Sequence, residues 1–168
     1  MSRPTIWAPW RIEYIRRPKG DGCIFCRAVE ADADRDNLVL TRGEKVFVIL
    51  NRFPYTAGHM MVVPMRHVAD PEDLELGEVT ELWSLFTRAK AALSLVFRPH
   101  GYNVGLNLGI AAGAGVADHL HLHVVPRWAG DTNFMPAVGE VAVISQHLAD
   151  MYDSLTPCFC GSAGDSRE

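Results

Sequence analysis

At 168 residues the chain has the length of one ordinary domain, enough to bury a full core without disulfide support. Hydrophobic residues make up 48% and charged residues 21%, a balance that excludes disordered and fibrous classes. The formal net charge of −4 leaves no general basic footprint for a phosphate backbone, which disfavours a dedicated nucleic-acid binder. Apolar runs such as Val46 to Leu50 are far too short to cross a bilayer, so no membrane partner is expected.

Along the chain, Met1 to Gly20 carries arginines but no continuous apolar core followed by small residues; it does not read as a secretory signal, and cytoplasmic residence is the expectation. Trp7 and Trp10 flank Pro9, and their expected role is to dock the terminus on the core. Cys23/Cys26 and Cys158/Cys160 form two close pairs, which in a reducing compartment point to metal binding or free thiols rather than disulfides. Asp32 to Asn37 is acidic and polar and reads as a loop. The β-branched and aromatic run Val46 to Leu50 predicts a strand, and His59 to Pro64 a second one after the breakers Asn51, Pro54 and Gly58. Asp70-Pro71-Glu72-Asp73 reads as a helix start, with Asp70 as N-cap and Pro71 at the first helical position. From there Val79, Leu82, Trp83, Phe86, Leu93 and Phe97 recur at helical spacing until Arg98-Pro99-His100-Gly101. Tyr102 to Leu108 predicts a strand, Gly109 to Gly115 a Gly/Ala-rich loop, and His119 to Pro126 another strand. Val141, Ile144, Leu148, Met151, Tyr152 and Leu155 predict a C-terminal helix, and residues 161–168 a flexible tail. The expected class is α+β, one domain over residues 1–168 with its core at about 7–155, built on an antiparallel sheet, one long helix and a C-terminal helix.

The most informative residues are His119-Leu120-His121-Leu122-His123-Val124-Val125. Side chains two apart in a strand share a face, so the three imidazoles are expected on one side and the aliphatic residues on the other. Clustering three polar rings in an apolar strand is costly, which argues for chemistry: imidazole serves as nucleophile, general acid or base, or metal ligand. The small residues just before it, including Gly113 and Gly115, let backbone N–H groups approach an anion and predict a phosphate cradle. Cys23-Ile24-Phe25-Cys26 has the spacing of half a zinc site, and equally of two ordinary thiols.

The histidine run resembles the H-φ-H-φ-H-φ-φ signature of the histidine-triad superfamily, and the order of Cys-x-x-Cys, Gly58-His59, Pro64, His67 and Asn107 agrees with it. Trp7-Ala8-Pro9-Trp10-Arg11, Asn103 to Gly109 and Val125-Pro126-Arg127-Trp128-x-Gly130-Asp131-x-Asn133-Phe134 are similar to the microbial branch related to diadenosine tetraphosphate phosphorylase. The resemblance implies a nucleotidyl-transferring or hydrolysing enzyme of the histidine-triad fold that works at the α-phosphate of a nucleotide, and a homodimer. It implies His121 as nucleophile, His123 as the ring that orients and polarises it, His59 beside the site and His119 in support. Asn51 is then expected at the ribose and Asn107 at phosphate or ribose. The superfamily's zinc-bearing members imply a structural zinc on Cys23, Cys26, His67 and His119 that pins the N-terminal segment to the active-site strand; a zinc-bound His119 would be ligand rather than catalyst.

One departure matters. Hydrolase branches carry Gln-Ser or Gln-Thr where this chain has Gly115-Val116, and Val116 has no hydroxyl to offer a leaving group. That favours, by elimination, the phosphorylase-like branch with inorganic phosphate as acceptor. Water as acceptor, a nucleotide-binding module without turnover, and a hydrolase using the histidines as catalytic metal ligands are the other readings. Cys158 and Cys160 read as free thiols at a mobile end, and His100 and His147 as surface or capping residues.

Overall fold

The computed structural model describes residues 22–131 and 147–160. The expectations for Trp7, Trp10, Asn133, Phe134, Val141, Ile144 and the 161–168 tail lie outside them. Five antiparallel strands form one sheet in the order β1-β2-β3-β5-β4: β1 Val39–Arg42, β2 Val46–Leu50, β3 Met60–Pro64, β4 Gly101–Leu106 and β5 Leu122–Arg127. The helices are α1 Ile24–Glu30, α2 Asp34–Asn37, the long α3 Leu76–Phe97 and α4 Leu148–Leu155. This is the α+β arrangement expected.

Every residue of β2 and β3 is buried, because these central strands are covered on both faces. Leu85, Phe86, Ala89, Ala92 and Leu93 form the buried stripe of α3, which packs on β2, β3 and β5. Met151, Tyr152 and Leu155 of α4 close the same core. At the outer edge β4 is far more open, with Val104 42% and Leu106 36% exposed.

The structure corrects several sequence expectations. Pro71–Asp73 is only a short 3-10 turn, and α3 starts at Leu76. Glu75 and Glu78 make a reciprocal capping box there, and buried Glu78 is paired with Arg66 at 2.7 Å. That guanidinium is the first reason the Glu78 carboxyl is held below its ordinary range. The predicted loop at Asp32–Asn37 contains the helical turn α2, terminated by Leu38 in the left-handed region (φ 63°). Strand β1 and helix α1 add to the elements that the sequence predicts. Arg42 of β1 explains how so short a helix is held: its guanidinium donates to the carbonyls of Ala28, Val29 and Ala31 at the end of α1 and to Asp34. The cysteines near the C-terminus flank Phe159, which is buried in the core, so the chain is packed there rather than hanging free.

Candidate functional site

The predicted strand from His119 begins only at Leu122, and His119 and His121 lie in the segment leading into it. A simple one-face alternation therefore does not describe the three rings. All three are buried, but they divide between two adjoining clusters. The ring of His121 lies 4.9 Å from that of His123, whereas His119 turns towards His67, 5.0 Å away, and the cysteines.

Gly58 sets up the first cluster. Its φ of +78° is one that only glycine adopts freely, and a Cβ there would come within 2.9 Å of the Leu93 side chain. The next residue, His59, is fully buried, and its ring meets His123 of β5. The Tyr55 backbone N–H donates to His59 Nδ1 at 3.1 Å. A backbone amide can only donate, so the ring proton of neutral His59 resides on Nε2. From there it is donated to His123 Nδ1 at 2.9 Å, which leaves His123 with its hydrogen on Nε2. Asn107 Nδ2 lies 3.4 Å from that Nε2, and since two donors do not bond, the proton on Nε2 calls for the other orientation of the amide, with its oxygen accepting. Asn51 lies 3.4 Å from His59 Nδ1 and accepts the Phe53 N–H, so its side chain braces the loop under His59.

His121 is fixed in the opposite sense. Its Nδ1–H donates to the His119 carbonyl at 2.8 Å, which leaves the Nε2 lone pair available. Phe25 of α1 packs 5.1 Å from this ring and 5.2 Å from that of His119. The arrangement thus holds a neutral imidazole with a bare nitrogen beside a second imidazole presenting N–H, the pairing that nucleophilic displacement at phosphorus requires.

Burial keeps these rings uncharged. It is the main reason His59 is pushed down to about 3 and His123 to about 4, with the neighbouring imidazoles adding to it. Burial also lowers His121 and His119. The unfolded chain takes up protons below about pH 6.5 that the folded rings refuse until pH 4 to 3, so stability rises with pH across that interval. The transition midpoint in urea is therefore expected to fall steadily from pH 6.5 to pH 4, by an equivalent of about 2 kcal/mol or more. A His59→Leu variant should show a shallower slope; equal slopes would show that these rings are not the cause.

The second cluster brings Cys23, Cys26, His67 and His119 together, with the ligand atoms all within 4.8 Å of one another. Cys23 Sγ is 3.2 Å and Cys26 Sγ 3.6 Å from His119 Nδ1, and Cys26 Sγ is 3.3 Å from His67 Nδ1. A tetrahedral ion with ordinary Zn–S and Zn–N bond lengths requires S···N edges of about 3.6 Å, so the donor set fits such an ion. The other nitrogen of His119, Nε2, donates to the Pro64 carbonyl at 2.9 Å, which aims Nδ1 at the cluster and leaves no nitrogen for proton transfer. The Asp118 carboxylate, given no role from sequence, lies 3.8 Å from His67 Nε2. Burial and adjacent Cys23 push the Cys26 thiol up, a tendency that a bound cation reverses.

Gly113 and Gly115 are exposed on the loop between β4 and the histidines, with Gly113 at φ +85°. Val116 is half-buried against the core. His147 caps α4 by accepting the Ala149 N–H, whereas His100 accepts the Ala129 N–H of the turn after β5 and caps no helix. Sequence reasoning missed Phe25, whose place inside the Cys-x-x-Cys was the available signal, and Tyr55, whose contribution is made largely by a backbone amide and so leaves no mark on residue type.

A protein of Mycobacterium tuberculosis (strain CDC 1551 / Oshkosh) named AP-4-A phosphorylase is 43% identical over 153 residues, covering 86% of this chain and 78% of that protein. The asymmetrical bis(5'-nucleosyl)-tetraphosphatase of Schizosaccharomyces pombe is 33% identical over 104 residues, covering 61% of this chain and 57% of its own length. Among solved structures, a Zn-bound histidine triad family protein from Mycobacterium smegmatis superposes with a TM-score of 0.67 at 28% identity, covering 83% of this chain and 94% of that one. The HIT domain model matches residues 33–130, more than half the chain, and with the 43% identity it makes the assignment: the chain belongs to the HIT family.

Proposed function

We propose that the protein transfers a nucleotidyl group from a dinucleoside polyphosphate to inorganic phosphate through a covalent intermediate on His121. The carrying observation is the opposed pair of tautomers: His121 bound through Nδ1 to the His119 carbonyl, and His123 bound through Nδ1 to His59. In the first step His121 Nε2 attacks the α-phosphorus, the phosphorus–oxygen bond to the rest of the chain breaks, and that oxygen departs with the electron pair. His123 Nε2–H stabilises the charge on it. In the second step a phosphate oxygen attacks the same phosphorus and the phosphorus–nitrogen bond breaks, restoring the neutral ring. Diadenosine tetraphosphate would give ATP and then ADP.

The similarity to the M. tuberculosis AP-4-A phosphorylase supports this choice of substrate, and so does Val116, which offers no hydroxyl to a leaving group. Asn107, beside His123, is the proposed phosphate or ribose contact, Asn51 the proposed ribose contact, and the amides around Gly113 and Gly115 the phosphate cradle. Cys23, Cys26, His67 and His119 would hold one structural zinc, which supplies a tetrahedral cross-link and no chemistry at phosphorus. The open β4 edge, with Val104 and Leu106 exposed, supports a homodimer formed by strand pairing. Among the described residues no helix is long and apolar enough to cross a membrane. A cytoplasmic setting accords with free cysteines poised as ligands.

Incubating the metal-loaded protein with diadenosine tetraphosphate, with and without inorganic phosphate, tests the proposal. ADP and ATP formed only with phosphate is the expected result. AMP and ATP formed without it would replace the phosphorylase by a hydrolase, and no turnover would overturn both.

A further inference from the structure

Gly105 sits in the middle of β4, paired with His123 across the ladder. Its backbone is not in the left-handed region, since the positive-φ glycines among the described residues are Gly22, Gly58, Gly109, Gly113 and Gly130. Nor is it crowded: a Cβ on Gly105 meets nothing within 4 Å. Glycine inside a strand costs roughly 0.5–1 kcal/mol relative to alanine, and here neither backbone conformation nor packing accounts for that cost. Among the described residues nothing fills the space over it, and a glycine so placed marks close approach by another group.

The space over Gly105 belongs to a cavity of about 410 Å³ whose lining includes Tyr55, Asn103, Gly105, Asn107, His123 and the ion-paired Arg127 and Asp131. It follows β5 from His123 towards Arg127, whereas His119 and the cysteine cluster lie at the opposite end of the histidine run. Tyr55 forms one wall. Its ring is stacked on His123 at 5.9 Å and lies 4.6 Å from His59, and the residue is 56% exposed. At the far end the Arg127 guanidinium is oriented by Asp131 and by Asn103. Asn103 lies in β4 and Asn107 directly follows its last residue, so the floor runs roughly 13 Å from the proposed reaction centre to that ion pair.

We infer that this cavity is the subsite for the leaving half of the substrate, a nucleoside polyphosphate whose phosphates pass between Tyr55 and Gly105 beside His123 and whose nucleoside end lies towards the Arg127–Asp131 pair. The inference builds on the proposed function and extends it to a second binding site. His123 sets the direction, because the ring that presents N–H to the departing oxygen also lines the cavity mouth. In an in-line displacement that oxygen leads away from His121 and into this space. Tyr55 offers a flat, half-exposed wall at the reaction-centre end, Gly105 a floor without a side chain, and the Arg127–Asp131 ion pair a polar far end.

Gly105→Val tests this. The side chain enters open space on a residue type that strands accept well, so the variant should unfold no more easily than wild type. Gly105→Ala provides a smaller obstruction if the valine protein does not fold. Each is assayed with diadenosine tetraphosphate and with adenosine 5'-phosphoramidate, which share the adenylyl group but differ in the size of what leaves. The ratio of kcat/KM for the large over the small leaving group is expected to fall at least tenfold in Gly105→Val and by less in Gly105→Ala, at unchanged elution volume in gel filtration. An unchanged ratio, or equal losses on both substrates, would overturn the subsite while leaving the proposed function intact. Wild-type protein that turns over the phosphoramidate but not the dinucleotide, or neither, would overturn both.

Discussion

Replacing His121 with alanine is expected to abolish turnover of diadenosine tetraphosphate, by at least about a thousandfold in kcat, while leaving the fold in place. The ring is buried but peripheral to the aliphatic core, and its fixed polar bond is to the backbone carbonyl of His119. Among the described residues no other brings an unprotonated nitrogen to the same point: His119 is engaged through both nitrogens, and His59 and His123 are committed to each other. The effect should reside in kcat rather than KM, since the nucleotide contacts proposed for Asn51 and Asn107 remain. Asparagine at His121 restores bulk and a donor but no nucleophile and should not rescue. Mass spectrometry of wild-type protein quenched during turnover should find one adenylyl group, absent from the variant. Retention of more than a tenth of the wild-type rate by His121→Ala would remove the covalent mechanism.

The second large effect is expected from the metal cluster. Cys26→Ser, or a strong chelator, should strip a single tightly bound zinc per chain and lower the thermal midpoint by about 10 °C or more. The reason lies in how α1 is attached. Its C-terminal carbonyls are held by Arg42, but Cys23 at its N-cap makes no side-chain capping bond, so the cysteine ligands are what anchor that end. The first turn carries Phe25, 1% exposed and packed on both His119 and His121. Losing the ligands should therefore loosen the wall behind the nucleophile and the carbonyl that fixes its tautomer. A cobalt-substituted sample should show the absorption of a tetrahedral S₂N₂ site. An identical midpoint with and without chelator, or binding of fewer than half an equivalent of zinc, would show that the cluster is merely two thiols beside two imidazoles.

These two predictions differ in how much of their basis is legible in the sequence. The alternating histidines, the Cys-x-x-Cys and the position of His67 named both clusters by residue type, and the runs at Val46–Leu50 and in the long helix marked the core. Short elements left weaker traces. Strand β1 has four residues and α1 seven, too few for a periodic pattern, and each depends on partners such as Arg42 that are remote in sequence. Helix α3 starts at Leu76 because the pairing of exposed Arg66 with buried Glu78 and the Glu75–Glu78 box outweigh the local preference of Asp70-Pro71.

By itself, then, the sequence determined which side chains are available: imidazoles, thiols and small residues in an order that resembles one superfamily. Only the tertiary structure decided what each does. A histidine's role depends on which nitrogen holds the proton, and that is dictated by groups distant in sequence or carried by the backbone: the Tyr55 amide for His59, His59 for His123, the Pro64 carbonyl for His119. The same holds for Gly105, since whether a glycine is there for strain, for packing or for a visitor can be told only from the space around it.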